Sequence, residues 1–139
     1  MTLRQTELVR SSFAEVAELA DAAGIVFFGR LFEIDPALRP LFKGDLQQHW
    51  SKAMEMLGLV VSWIDWPELL LPALKSLGRR HAGYGVKDQH YLIFADALIF
   101  TLKVGLGDTF TSEVEDAWIE AYQMISNAMR KAAPVAAVV

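Results

Sequence analysis

Apolar residues recur at three- and four-residue spacing along most of the chain, and glycine and proline cluster between the periodic stretches. This spacing places the apolar residues of each stretch on one face of a helix, and no stretch shows the alternation typical of a strand. The chain is therefore predicted to be all-α. The predicted stretches are residues 8–20, 25–34, 37–42, 47–64, 70–81, 91–102 and 114–129.

Polar and proline residues predict where several helices begin. Pro67 favours a fresh start after residue 64, because proline is well tolerated in the first helical turn. Asp88 is predicted to cap the next helix. Ser112, with Glu115 three residues later, predicts a capping box for the last one. Three tryptophans are predicted to pack in the core or between helices: Trp50, Trp63 and Trp66.

The length of 139 residues predicts one domain, which we expect to span residues 1–132. Residues 133–139 lack an amphipathic pattern and are expected to fray. The uncharged stretch 56–64 is far shorter than the roughly 18 apolar residues of a membrane span. Since no secretory signal is visible at the N-terminus, a cytoplasmic location without membrane insertion is expected.

Charge and cysteine content exclude several classes of function. Thirteen basic and seventeen acidic residues give a net charge of −4, which argues against nucleic acid as a partner. The chain has no cysteine. Disulfides, zinc–thiolate sites, iron–sulfur clusters, cysteine nucleophiles and thioether-linked haem are therefore excluded.

Two histidines lie on apolar stripes. His49 heads the stripe of residues 47–64, and His81 closes the stripe of residues 70–81. Either one alone is more commonly a core histidine bonded to a carbonyl group, because an unpaired buried imidazole is costly. Together they suit two imidazoles that approach one large apolar object from opposite sides.

A haem suits these histidines better than a bare metal ion. Zinc or non-haem iron would need at least three protein ligands, and the nearest carboxylate, Asp45, is more simply a helix cap. A haem brings four nitrogen ligands and needs an apolar slot with one or two axial histidines. Lys52, Arg79 and Arg80 lie close to the histidines and suit its propionates, although a solvated helix face would also explain them.

Several segments, taken in order, resemble a globin from about Leu8 to Met129. The chain is similar to single-domain bacterial haemoglobins, to the haem domain of flavohaemoglobins and to neuroglobin. The matching segments are Phe27 to Phe32, Pro40-Leu41-Phe42, Leu77-Gly78-Arg79-Arg80-His81, Tyr84-Gly85-Val86, His90-Tyr91 and Asp116 to Tyr122. The resemblance implies the globin fold, a three-on-three helical sandwich. It further implies that the fourth helix of the vertebrate fold is absent, because the connection from Phe42 to His49 is short.

The resemblance also implies a site for haem b (iron protoporphyrin IX). His81 takes the position of the proximal iron ligand, and His49 is the distal residue and a possible sixth ligand. Phe42 packs on the haem face, while Phe28 and Ala53 line the distal side. The other residues implied at the cofactor are Lys52, Leu77, Arg80, Val86, Tyr91 and Phe94.

The chain departs from the pattern of globins that turn over nitric oxide. Those proteins usually carry a tyrosine at the position of Phe28 and a glutamine at that of His49. Flavohaemoglobins also tie the proximal imidazole to a glutamate late in the last helix, and residues 131–133 offer none. A carboxylate partner makes the imidazole a stronger electron donor, so its absence disfavours peroxidase-like or dioxygenase tuning.

The leading hypothesis is a protein that reversibly binds O2, or CO or NO, opposite His81. The alternative is a nitric oxide dioxygenase or nitrite reductase served by a separate reductase, and a sensor or electron carrier also stays open. His49 is expected to compete for the sixth position on the iron, because Phe28 offers no hydroxyl to hold it off. The short connection before His49 could instead tether it away from the metal.

Overall fold

A computed structural model describes residues 1–132, which form six α-helices and two 3₁₀ turns and contain no strand. The helices are α1 (Leu3–Ala17), α2 (Ala20–Ile34), α3 (Leu46–Ser62), α4 (Pro67–Gly83), α5 (Asp88–Leu106) and α6 (Ser112–Ala132). The 3₁₀ turns are Pro36–Leu41 and Gly107–Thr109. The all-α prediction is confirmed, and no helix lies between residues 41 and 46, as expected. The predicted frayed tail, 133–139, lies outside the described residues.

Two predicted helix caps are wrong by one residue. α5 is capped by Lys87, whose backbone N–H donates to His90 Nδ1 at 3.0 Å, and Asp88 is its first helical residue. At α6 the hydroxyl of Thr111, rather than Ser112, accepts the N–H of Val114 at 3.2 Å. At α6 the Thr111 hydroxyl satisfies one of the free N–H groups of the first turn, whereas at α5 the His90 side chain reaches back to the N–H of the cap residue itself.

The helices pack as two crossed layers of three. α2 packs on α5, while α6 receives both α1 and α4. α3 lies on α1 and α2 and scarcely touches α4, although these two helices are consecutive in the chain. This pairing is the predicted three-on-three sandwich, in which α3 reaches α4 through Val60, a residue that shares a buried cluster with Leu70 and Leu74.

The core has a main cluster and a smaller one beneath α4. Val9, Leu31 and Trp118 are almost completely buried in the main cluster. The Trp118 indole donates to Ser12 Oγ at 2.8 Å, which satisfies its one polar group in the interior. The smaller cluster consists of Val60, Leu70, Leu74, Tyr91, Ala128 and Met129.

Two glycines allow helices to cross closely. A Cβ atom at Gly24 of α2 would lie 2.6 Å from Cδ1 of Trp50 in α3, and the Trp50 indole donates to the carbonyl of Ala20 at 2.7 Å. A Cβ atom at Gly78 of α4 would lie 2.6 Å from Cα of Met129 in α6. Neither position has room for a larger residue, so α3 and α4 are each held against a neighbouring helix.

The tryptophan prediction holds for one residue of three. Trp50 is buried, but Trp63 and Trp66 are 40% and 55% exposed at the corner between α3 and α4. Val60, Val61 and Ile64 fill the inward face there, so the two indoles lie on the outer face. Within residues 1–132 no helix is both long and apolar enough to cross a bilayer.

Candidate functional site

His81 lies in the last turn of α4 and is held by its own helix. Its Nδ1 lies 2.9 Å from the carbonyl oxygen of Leu77, one turn earlier. Because a carbonyl group only accepts hydrogen bonds, Nδ1 carries the proton and donates it. The lone pair of Nε2 is therefore left for another partner, such as a metal ion.

The surroundings of His81 favour its neutral form. Burial lowers the pKa of the imidazole below its usual range. The hydrogen bond to the Leu77 carbonyl raises this pKa, and the positive charge of Arg80 lowers it. A neutral imidazole is the form that binds a metal ion, so the shift leaves the ring ready for coordination at neutral pH.

The end of α4 is fixed by backbone contacts around His81. The carbonyl of His81 accepts the N–H groups of Tyr84 and Val86, both at 3.1 Å. Gly85 between them has a φ of +97°, a conformation that favours glycine. On the other side, Gly78 lies against Met129. His81 is thus held in a segment anchored at both ends.

His49 lies in the first turn of α3. The carboxylate of Asp45 accepts the N–H of Gln47 at 3.0 Å, so Asp45 is the N-cap of this helix rather than a metal ligand. The imidazole reaches back past this cap, and its Nε2 lies 2.6 Å from the carbonyl oxygen of Lys43. Nε2 therefore carries the proton and donates it to Lys43.

Phe42 is the centre of an aromatic wall that joins the two sides of the site. Its ring lies edge-on to Phe28 at 5.2 Å, to His49 at 5.7 Å and to Phe94 at 6.5 Å between centroids. Phe94 in turn contacts Tyr91 at 6.2 Å. The structure thus brings together five of the residues that the sequence predicts for the site.

Tyr91 is buried beneath α4, and within residues 1–132 neither the hydrogen bond nor the ring contact of His81 involves it. The hydroxyl of Tyr122 donates to its backbone carbonyl at 2.6 Å. Burial raises the pKa of Tyr122 far above its usual range, and it also raises the pKa of Tyr91. No hydrogen bond or ion pair joins His81 to a carboxylate in residues 1–132, so its partner there is the neutral Leu77 carbonyl.

The remaining predicted residues lie around the edge of the site. The side chains of Leu77 and Val86 are half-buried against the cluster beneath α4, whereas Ala53 of α3 is exposed. Lys52, Arg79 and Arg80 are also exposed. In the part of the chain that the structure describes, none of these three cations forms an ion pair.

These residues fit a haem. Its iron needs an imidazole with a free nitrogen, which His81 provides. Its macrocycle needs apolar and aromatic walls, which Phe42 and its ring contacts with Phe28 and Phe94 offer, and its propionates suit exposed cations. Residues 1–132 hold no group of three His, Cys, Asp or Glu side chains placed for a bare ion.

Sequence reasoning missed two groups that shape the site. Gly78 stands within the quoted motif, but its part in seating α4 on α6 needs the position of Met129. The partner of His49 is a main-chain carbonyl, that of Lys43, and every residue type has one. No pattern of side chains could have indicated it.

The comparisons with known proteins agree with this geometry. The family model described as Globin matches residues 25–129. The chain is 32% identical to neuroglobin of Danio rerio over 89% of this chain and 87% of the relative. It is 33% identical to a flavohemoprotein of Xylella fastidiosa over 88% of this chain, but over only 32% of that longer protein.

Solved structures show the same fold. An engineered carbene transferase from Rhodothermus marinus, whose description names a nitric oxide dioxygenase, has a TM-score of 0.85 at 29% identity. The alignment covers 99% of this chain and 97% of that one. A hexacoordinated haem protein from an anhydrobiotic tardigrade has a TM-score of 0.84 at 20% identity, covering 95% and 94%.

Fold and site together define an all-helical protein built around a histidine with one free ring nitrogen. The chain belongs to the globin family. The sequence predicts a globin that binds haem and, through it, a gaseous ligand, and this class is confirmed.

Proposed function

We propose that this globin binds one haem b without a covalent link and uses it to bind O2 reversibly. His81 holds the iron through Nε2, and the ligand lies on the side of His49. The observation that carries the proposal is the hydrogen bond from His81 Nδ1 to the Leu77 carbonyl, because it fixes which ring nitrogen is free. Bound haem supplies an iron that takes O2, CO or NO as a sixth ligand.

The partner of His81 favours reversible binding over chemistry on the ligand. A carbonyl group is a weaker acceptor than a carboxylate, so the proton stays on Nδ1 and the imidazole remains a moderate electron donor. Phe28, on the distal side, is buried and has no polar group to donate to a bound ligand. The residues of this site therefore bind and shelter a ligand more readily than they activate it.

The other residues hold the cofactor. Phe42 packs on the macrocycle, and its ring contacts with Phe28 and Phe94 keep it in place. Lys52, Arg79 and Arg80 are exposed and unpaired within residues 1–132, so they can reach propionates at the rim without giving up an existing ion pair.

Haem titration followed by optical spectra in the ferric, ferrous and CO-bound states tests the proposal. We expect one haem per chain, and His81→Ala should lose it or take it up only with added imidazole. His90→Gln is the matched control, because it changes the third histidine outside the proposed ligand pair. A normal spectrum in His81→Ala, or loss of haem in His90→Gln alone, would contradict the assignment.

A second candidate function is nitric oxide dioxygenation, which the description of the Rhodothermus marinus protein favours. The reaction joins NO and O2 to give nitrate and needs one electron per turnover. The similarity to a flavohemoprotein supports a separate reductase as the electron source. We propose that this globin and the reductase are both located in the cytoplasm.

Stopped-flow mixing of the O2-bound protein with NO separates the two functions. A reversible O2 binder should give a single stoichiometric burst, even when a ferredoxin or flavodoxin reductase and its nicotinamide cofactor are present. Repeated turnovers at the rate of re-reduction would favour the dioxygenase instead. His81→Ala serves as the inactive control in both cases.

A further inference from the structure

The nitrogen by which His49 could act on a ligand is already occupied. Nε2 is the ring nitrogen farther from the main chain, and so it is the one able to reach across the site. In the structure it donates its proton to the carbonyl of Lys43 at 2.6 Å. The ring is further held edge-on against Phe42, with 5.7 Å between centroids and 89° between planes.

The connection that carries this carbonyl is held by Arg39. The guanidinium Nη1 of Arg39 donates to the carbonyl of Phe42 at 2.6 Å, and the carbonyl of Arg39 accepts the Phe42 N–H at 3.1 Å. The guanidinium also lies 5.7 Å from the ring centroid of Phe32, over its face. One residue thus fixes both backbone groups of Phe42, immediately before Lys43.

The other end of the connection is anchored by the cap of α3. Asp45 accepts the N–H of Gln47, so its position is tied to the helix. Gly44, between Asp45 and Lys43, has a φ of +84°, and no atom would lie within 4 Å of an added Cβ. Gly44, which adjoins the Lys43 carbonyl, therefore has a backbone conformation that favours glycine and lies in open surroundings.

We propose that Arg39 is a positioning residue for His49. By holding Phe42 it keeps the Lys43 carbonyl on His49 Nε2, so that the imidazole is released toward the ligand side only when the connection moves. We call these four residues, Arg39, Phe42, Lys43 and His49, the distal latch. The inference rests on the proposed haem-binding function and adds a control over how the distal side takes part in it.

The latch works through competition for a single N–H group. His49 can donate from Nε2 to Lys43 or to a bound ligand, but not fully to both. Binding the iron instead would require Nε2 to lose its proton. An ordinary hydrogen bond shifts such an equilibrium about two- to tenfold. The contribution of His49 to ligand affinity is therefore scaled by the fraction of protein in which Nε2 is not bonded to Lys43.

The variant Arg39→Met tests the latch in the full chain loaded with haem. Methionine keeps much of the side-chain length over Phe32 but removes every donor. In the ferrous CO-bound form, a hydrogen bond from His49 to CO lowers the C–O stretching frequency, so infrared spectra report the released fraction. We expect the ratio of released to latched protein to rise about two- to tenfold in Arg39→Met.

Three further variants separate the latch from other effects. Lys75→Gln removes an exposed positive charge outside the latch, and it should match the parent protein. His49→Leu combined with Arg39→Met should abolish the low-frequency band. Gly44→Ala strains the residue at φ +84° and should release His49 as Arg39→Met does. It is thus a second route if Arg39→Met fails to fold.

Each result decides the inference. Equal band ratios in the parent, Arg39→Met and Gly44→Ala would overturn the latch. So would a parent protein in which His49 already donates fully to CO or already binds the iron. These outcomes leave the proposed function intact as long as haem uptake depends on His81. Haem uptake that does not depend on His81 would instead contradict the proposed function.

Discussion

The two histidines of this site are held by main-chain carbonyl groups, but by opposite ring nitrogens. His81 donates from Nδ1 to Leu77, one turn back in its own helix, which leaves Nε2 free. His49 donates from Nε2 to Lys43, outside its helix, so that the nitrogen able to reach a ligand is engaged. The same kind of bond therefore leaves Nε2 free in one histidine and engages Nε2 in the other.

The supports behind the two histidines differ as well. α4 is pressed against α6 at Gly78, with no space to shift, and the carbonyl of His81 is bonded beyond the helix end. His49 depends on a short connection that contains Gly44, a residue in open surroundings. In the proposed function, the closely packed segment of His81 would retain the cofactor, and the more open segment of His49 would adjust as the ligand binds and leaves.

Phe42→Ala should have the largest effect, since Phe42 touches both sides. We expect the haem-bound protein to lose roughly 3 kcal/mol, near the low end for a Phe→Ala change because the ring is only half-buried. Denaturant unfolding and haem-loss rates check this. The partly exposed Phe100, on the far face of α5, is the control, and Phe100→Ala should lose haem at the parent rate. Equal haem-loss rates in the two variants would remove Phe42 from the site.

Gly78→Ala should come next and should act on the proximal side. The added methyl group would meet the Met129 backbone, which cannot give way as a side-chain tip could, and such overpacking costs about 1–3 kcal/mol. Thermal unfolding and haem-loss rates measure the effect. Gly83→Ala, on the same helix with open space around it, should be neutral or slightly stabilising. A fully stable Gly78→Ala protein would show that α4 is free to move.

His49→Leu should lower the O2 affinity only modestly. A free donor to a charged acceptor would contribute about 1.5–3 kcal/mol. Because Nε2 is engaged by Lys43, we expect a loss of less than about tenfold, or about 1.4 kcal/mol. Stopped-flow O2 association and dissociation give the affinity, with Gln48→Leu as the neighbouring control. A hundredfold loss would mean that His49 is free to donate.

Tyr122→Phe should have a comparably small effect at neutral pH, about 0.5–1.5 kcal/mol for the lost hydrogen bond to Tyr91. The pKa of Tyr122 is raised in the folded protein. The resulting stabilisation is therefore present below the unfolded value of about 10 and is lost as pH rises from there toward the folded value.

Denaturant unfolding between neutral pH and about pH 11 tests this. The stability of the parent protein should fall above about pH 10, by at most about 1.4 kcal/mol per pH unit for this group. Tyr122→Phe should lack that part of the decline, whereas Tyr84→Phe, at an exposed tyrosine, should keep it. Identical slopes in all three proteins would show that folding does not raise the pKa of Tyr122.

The helices could be predicted because their signals are local. Apolar spacing indicates helices directly, and the spacing of Leu77 and His81 already allows a bond along one helix turn. The caps at Lys87 and Thr111 were missed because adjacent polar residues are equally plausible caps. The prediction for Trp63 and Trp66 is wrong because the sequence does not show which side of the corner between α3 and α4 has no other helix packed against it.

The distal side could be predicted only in part. The aromatic residues Phe28 and Phe42 follow from the resemblance to globins, and the structure brings their rings together. The hydrogen bond between His49 and Lys43 depends on the path of the backbone through Gly44. That path is set by Arg39 from the preceding turn, a relation that side-chain patterns do not encode.

The crossing of α2 and α3 sets a rule for how this sequence can change. Because the Trp50 indole fills the space beside Gly24, the two positions share one fixed volume. A larger residue at 24 is tolerated only together with a smaller one at 50, and the exchange gives up the indole bond to Ala20. Position 50 directly follows His49, so we expect such paired replacements also to displace His49. Sequence changes in the interior would then alter ligand affinity.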